Sequence, residues 1–330
     1  MVANDMKKTQ FKAEHEALAA AWKKRSNTLT EEARASAPWI NQDGQPRGRY
    51  DHCLPAGFAA HNLLPHVRRG AIQLFIELGI PWHAGIDNGP GNNLLSSQVQ
   101  CVNALYPMVS QPLKIKSAFG HLVDIGAVLE IERGRFLTFE YIGPTDYFNE
   151  GKGRERIRGS RCTSVDAAFR YRTSTGRIEI ALVEWKYTEA YLEAVEPPPG
   201  YNKTREARYG VDLEAVDGPV RMDLVDLDFL FDEPLYQLMR QQLLAYRLEQ
   251  DRVLEADVVR VLHVLDPANA GYQQSLVRSE TKALGDKVDE VWSRLLRNPD
   301  RFAHVDPAVF LDPAVTSSEY VDRYSLRLGS

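Results

Sequence analysis

Residues Ser164–Glu189 read SVDAAFRYRTSTGRIEIALVEWKYTE, two strand-like runs flanking the turn signal Ser174-Thr175-Gly176. β-Branched and aromatic residues fill both arms, which predicts an antiparallel hairpin. With the turn centred on Thr175, residues whose numbers sum to 350 face one another, so Asp166 falls opposite Glu184. Side chains two apart on a strand share a face, and Lys186 joins the pair. Opposed residues hold their Cβ atoms roughly 4.5–5.5 Å apart, a spacing at which like charges repel. Two carboxylates set together beside a lysine point to a divalent cation, which oxygen ligands of this kind hold.

The rest of the chain sets bounds on that reading. Its 330 residues could hold one large or two modest domains, and 44% hydrophobic with 26% charged residues is ordinary for a globular protein. A net charge of −5 gives no global basic signature, so any nucleic-acid surface must be local. Three cysteines, Cys53, Cys101 and Cys162, are an odd number without metal-type spacing, which argues for reduced thiols and a cytoplasmic setting. There is no apolar leader at the N-terminus and no run of about 18 apolar residues, so no membrane association is expected.

Residues 1–91 read as an accessory helical and irregular region packed on the core. Phe11–Lys24 has helical spacing, Ser36–Gly57 is rich in proline and glycine, and a second helix runs from Leu64 or Pro65 to Leu78. His52, His61, His66 and His83, with Cys53, match no zinc spacing and read as loop and core histidines. Asn88–Asn93 (NGPGNN) marks the boundary of a core spanning residues 92–270. A helix starting at Ser96 or Ser97 carries Gln98 on or beside its apolar stripe, as a structural tie or part of a site. Strand-like runs follow at His121–Glu132 and Phe136–Ile142. The second alternates with period two and directs Glu140 to its less apolar face. Alone, Glu140 reads as a solvated carboxylate; beside Asp166 it reads as a third metal ligand or a group supporting the ligands.

Gly151–Arg161 (GKGRERIRGSR) sets five basic residues, Lys152, Arg154, Arg156, Arg158 and Arg161, against one acid, and leads directly into the Asp166 strand. Contacts of this kind to phosphate supply most non-specific nucleic-acid affinity. After the hairpin, residues 191–231 read as a long irregular insertion. The helix that follows, to about Gln250, puts Gln242 and Tyr246 one turn apart on a stripe of Leu235, Leu238 and Met239. A strand at Ala256–Leu265 follows, and residues 271–330 read as a closing helix and a weakly structured tail.

Asp166, then 17 intervening residues, then Glu184-Trp185-Lys186, within this helix–strands–helix–strand order, resembles the PD-(D/E)XK nuclease superfamily. Val165 stands where the motif proline would be. Gln242 and Tyr246 fit the Q-x-x-x-Y pattern of RecB-like members, and Gln98 stands where many members carry a glutamate. The phrases YDHCLPAGFAAHNLLPHVRRGA and LLSSQVQCVN are also similar to a group of bacterial restriction endonucleases. The resemblance implies an α/β fold with a restriction-endonuclease-like αβββαβ core, a mixed central sheet flanked by helices, and a helical or irregular N-terminal extension. It implies a Mg²⁺-dependent DNA endonuclease in which Mn²⁺ substitutes. Asp166, Glu184 and the Trp185 backbone carbonyl would hold the metal, with Glu140 as a further candidate. Lys186 would orient or deprotonate the attacking water, or stabilise charge at phosphorus. Gln98, Gln242 and Tyr246 would support these groups from behind, the basic loop would hold DNA, and cutting both strands would suit a homodimer. The alternative is a catalytically inactive nuclease fold that binds DNA or a protein partner. A metal-independent hydrolase is disfavoured by the lack of G-x-S-x-G and of a cysteine in a nucleophile setting.

Overall fold

The computed structural model describes residues 2–151, 153–191, 201–276 and 278–325, with side chains from residue 10 onward. The chain opens with α1 (Val2–Arg25), the strand pair β1 (Ala37–Ile40) and β2 (Pro46–Tyr50), and α2 (Pro65–Leu78). Helices α3 (Ser97–Leu105) and α4 (Pro112–Phe119) precede β3 (Ala127–Leu129), β4 (Leu137–Tyr141), β5 (Val165–Arg172) and β6 (Ile178–Trp185). Then come α5 (Tyr201–Leu213), α6 (Leu235–Gln250), β7 (Val258–Val264), α7 (Ala270–Gln273), α8 (Ser279–Leu284), α9 (Val288–Leu295), β8 (Phe302–Val305) and α10 (Ser318–Tyr324). The expected αβββαβ order is present as α3, β4, β5, β6, α6 and β7. Among the described residues no helix is long and apolar enough to cross a membrane.

Local chemistry sets the element ends. The Ser96 side chain accepts from the Val99 amide and caps α3, while α2 starts on Pro65 and stops at Gly79, whose φ of 63° is left-handed. The hairpin turns through Thr173–Arg177, with Gly176 at φ 93° and its amide on the Thr173 carbonyl at 3.0 Å. Its register is the one read from the sequence: Ala167 pairs Val183, Phe169 pairs Ala181 and Arg172 pairs Ile178. Both β3 and β4 pair β5 antiparallel, whereas β6, β7 and β8 run parallel, so the sheet is mixed. From Glu179 to Trp185, β6 is buried on both faces, which explains its nearly unbroken apolar run. One face packs Phe169, Val183 and Trp185 against Phe75, Val102, Phe119 and Phe310; the other packs Ala168, Leu182 and Val261 against Leu243, Leu244 and Trp292.

Four sequence expectations are corrected. The irregular stretch Ser36–Gly57 contains the β1–β2 pair. Of His121–Glu132 only Ala127–Leu129 is strand, because Gly126 and the turn after α4 interrupt its pattern. The insertion at 191–231 contains helix α5, while its proline run lies outside the described residues. The tail is structured: β8 extends the sheet, and in α10 Arg323 donates to the Asn62 carbonyl and side-chain oxygens. A four-residue strand has too short a pattern to be read, and its partner β7 supplies its identity.

Candidate active site

The ladders set three carboxylates in one row. Pairing of Ala167 with Val183 carries Asp166 opposite Glu184 on β6. Pairings of Phe139 with Ala167 and Tyr141 with Val165 bracket Glu140 at the level of Asp166. Glu140 has φ 47°, a left-handed conformation that is costly for a residue with a Cβ and turns the end of β4 out of regular pleat. The basic loop closes over it at Gly159, φ 68°, where a Cβ would stand 3.0 Å from Glu140 Cδ. The left-handed backbone and the close approach both favour glycine there.

Each carboxylate has a fixed partner. Asp166 Oδ2 accepts from the Trp185 amide at 2.7 Å. Glu184 Oε1 lies 2.6 Å from Lys186 Nζ, which also donates to Gln237 Oε1 at 2.6 Å. Glu140 accepts from Gln98 Nε2 at 3.1 Å and from Ser164 Oγ at 3.0 Å. Gln98 is itself held by the His83 amide, 2.9 Å from its Oε1. At 8% exposure Glu140 is not a solvated strand carboxylate. Glu184 and Lys186 are buried too, at 2% and 7% exposure.

Burial and crowding tune the row. Burial, followed by the charges of Glu184 and Glu140, pushes the Asp166 carboxyl well above the carboxylate range, against Lys186 and the Trp185 amide. Burial lifts Glu140 to about 7, although Gln98 and Ser164 favour its charged form. Burial, the largest single influence, disfavours Lys186 as an ammonium, but Glu184 together with Tyr272, Tyr191 and Glu189 outweighs it and the net displacement is upward. A lysine so placed is a held cation and hydrogen-bond donor, not a free base.

Three acids against one ammonium leave the row short of positive charge, the condition a divalent cation relieves. The oxygens of Asp166, Glu184 and the Trp185 carbonyl are the hard donors that Mg²⁺ takes, so the residues fit the ion. Among the described residues, no three His, Cys, Asp or Glu side chains gather closely enough to hold a metal as they stand. Glu184 is turned onto Lys186, and Asp166 onto the Trp185 amide.

The other expected residues divide. Gln98 joins the row, whereas Gln242 and Tyr246 are not brought to Lys186. Tyr246 donates to Asp217 at 3.0 Å, and with Gln242 it lines a separate cleft beside Pro219, Val259 and Arg297. Gln237, in the first turn of α6, reaches Lys186 in their place; one turn on, Gln241 is 1% exposed. The leucine stripe directed the sequence reading to Gln242, and Gln237 was not read. Gln100, also unread, accepts from Trp185 Nε1 at 2.9 Å and fixes the strand that carries Glu184 and Lys186. In the basic loop, Arg156 donates to the carbonyls of Ile142, Gly143 and Thr145, and Arg158 pairs with Glu132 and Thr138. These two arginines hold the loop. Arg154 and Arg161 are exposed, with no side-chain partner among the described residues, and Lys152 lies outside them.

No curated protein and no solved structure matches the chain. A family model described as "Restriction Endonuclease associating with ARP" matches residues 16–325, nearly the whole chain. The αβββαβ core and this match agree: the chain belongs to that restriction-endonuclease family.

Proposed function

We propose that the protein is a divalent-metal-dependent DNA endonuclease that hydrolyses phosphodiester bonds with Asp166, Glu184 and Lys186. The observation that carries this reading is the row Glu140–Asp166–Glu184 across three neighbouring strands, with Lys186 Nζ 2.6 Å from Glu184. Asp166, Glu184 and the Trp185 carbonyl would hold Mg²⁺ or Mn²⁺, and Glu140 stands beside them. The chemistry such an ion supplies is neutralisation of charge at phosphorus and acidification of water. Lys186, held as an ammonium between Glu184 and Gln237, donates to the oxygen that gains charge as the bond to phosphorus forms. Asp166 is oriented by the Trp185 amide, and Glu140 by Gln98 and Ser164. Arg154 and Arg161 supply loop contacts to the DNA backbone. The test is cleavage of plasmid and oligonucleotide DNA by purified protein across a titration of Mg²⁺ and Mn²⁺. Product that appears with metal and is lost in EDTA supports the reading; no cleavage under any metal overturns it.

A further inference from the structure

A cavity of about 560 Å³ opens where β6, β7 and β8 end, and Lys186 lines it. It falls within the ~300–1,000 Å³ range of small-molecule sites. The carboxyl ends of parallel strands are where α/β sheets hold ligands.

Its walls have a definite chemistry. Aromatic rings follow one another from Phe11 to His15 (4.1 Å between centroids), His15 to Tyr187 (5.3 Å), Tyr187 to Tyr324 (6.0 Å) and Tyr324 to Tyr320 (4.5 Å). The turns after β7 and β8 repeat one tripeptide, Asp266-Pro267-Ala268 and Asp306-Pro307-Ala308, and both line the cavity. One carboxylate oxygen of each aspartate caps its turn, accepting from Ala268 at 2.8 Å or Ala308 at 2.9 Å. The other oxygen has no partner among the described residues, and Glu14 adds a third carboxylate.

The buried lining holds unused polar groups. Gln100, Tyr187 and Tyr320 are 5%, 9% and 1% exposed. Gln100 Oε1 is taken by the Trp185 indole, whose nitrogen can only donate, so the amide nitrogen is the free end. That nitrogen and the hydroxyls of Tyr187 and Tyr320 have no hydrogen-bond partner among the described residues. All three residues line the cavity, and polar atoms without a protein partner there suit a ligand that pairs them.

An aromatic wall, amide and hydroxyl donors inside and carboxylate acceptors nearby match a planar ring with donors and acceptors on its edge. The carboxylates of Glu14, Asp266 and Asp306 repel phosphate and accept from an exocyclic amine. We infer that this cavity receives one unstacked, amino-bearing nucleobase of the bound nucleic acid, next to Lys186. The inference rests on the nuclease reading above. Enzymes that read a base outside the helix do so by stacking it on aromatic side chains and bonding its edge.

The test measures binding of the full chain, in EDTA, to two duplexes, one with a bulged adenine and one with an abasic site at that position. The adenine duplex binds tighter by about tenfold, the order that base–aromatic stacking contributes. The double variant Tyr320→Phe/Asp306→Asn, which leaves Asp166, Glu184, Lys186 and every aromatic ring in place, removes two edge contacts and reduces that difference. Equal affinity of wild type for both duplexes overturns the inference. A parallel arm titrates free adenosine by saturation-transfer NMR. If no DNA binds, the nuclease reading fails, and adenosine binding weakened in the variant still supports a nucleobase site. If adenosine binds but the bulged base confers no advantage, a free nucleoside is the ligand and a substrate base is excluded.

Discussion

Gln237 accepts a 2.6 Å hydrogen bond from Lys186, and the same ammonium lies 2.6 Å from Glu184. The helix therefore positions the lysine through its first turn and not through Gln242. A hydrogen bond to a charged group is worth about 1.5–3 kcal/mol. Gln237→Leu should accordingly lower the single-turnover cleavage rate roughly ten- to a hundredfold, with DNA affinity unchanged. Gln242→Leu and Tyr246→Phe should leave the rate within about twofold, since neither touches the row. The opposite ranking would restore the Q-x-x-x-Y assignment.

Glu140 makes the metal-free protein sensitive to pH. Its carboxyl is lifted from 4.5 to about 7, chiefly by burial. Between these values the folded protein binds more protons than the unfolded chain, so stability falls as pH rises from about 4.5 to 7. Glu140→Gln stays neutral and should remove Glu140's share of this slope, leaving that of Asp166, for a difference of at most about 3 kcal/mol at pH 7.5. Urea unfolding in EDTA at pH 5 and pH 7.5 reads it; parallel slopes in the two proteins would reject the assignment.

The basic loop should separate into two classes. Arg154→Ala and Arg161→Ala should each weaken DNA binding and reduce the salt dependence by about one counterion. Arg156→Ala and Arg158→Ala should lower thermal stability, because they remove bonds to Ile142, Gly143, Thr145, Thr138 and Glu132. Anisotropy titrations at several salt concentrations, with melting curves on the same samples, distinguish the classes.

Beyond Glu184 the row continues as His263 and His304, the paired positions on β7 and β8. Asp289 of α9 bridges them, with its oxygens 2.6 Å and 2.7 Å from their Nδ1 atoms. Burial opposes the Asp289 charge, but His263 and His304 outweigh it and hold the carboxyl well below its usual range. That depressed value means its contribution is present above pH 4 and fades as the pH falls further. Asp289→Ala should destabilise the fold by about 1–3 kcal/mol, the cost of leaving the buried His263 Nδ1 without its hydrogen-bond partner. Chemical denaturation at pH 7 measures it, and a change under about 1 kcal/mol would contradict the bridge.

The hairpin was legible because its two arms have strong β character and its turn fixes the register. Asp166, Glu184 and Lys186 could thus be placed from residue numbers alone. Gln98 was found because a polar residue on an apolar stripe is conspicuous. Glu140 was only half legible, since its burial depends on a left-handed residue and on Gly159 of a distant loop. Gln237 was missed because helical periodicity does not say which of two adjacent glutamine faces meets the sheet. The arginines of the loop look alike in sequence; only folding reveals that Arg156 and Arg158 are spent on carbonyls and on Glu132. β8 and α10 were unreadable because each is short and held by tertiary partners.

The role of Lys186 can be tested directly by comparing plasmid cleavage by wild type and Lys186→Met, each with Mg²⁺ and with EDTA. The predicted result is cleavage by wild type only with Mg²⁺, loss of at least about a thousandfold in the variant, and comparable DNA affinity for both. Cleavage by the variant at the wild-type rate, or cleavage by wild type undiminished in EDTA, would contradict the assignment of Asp166, Glu184 and Lys186 as a metal-dependent nuclease site.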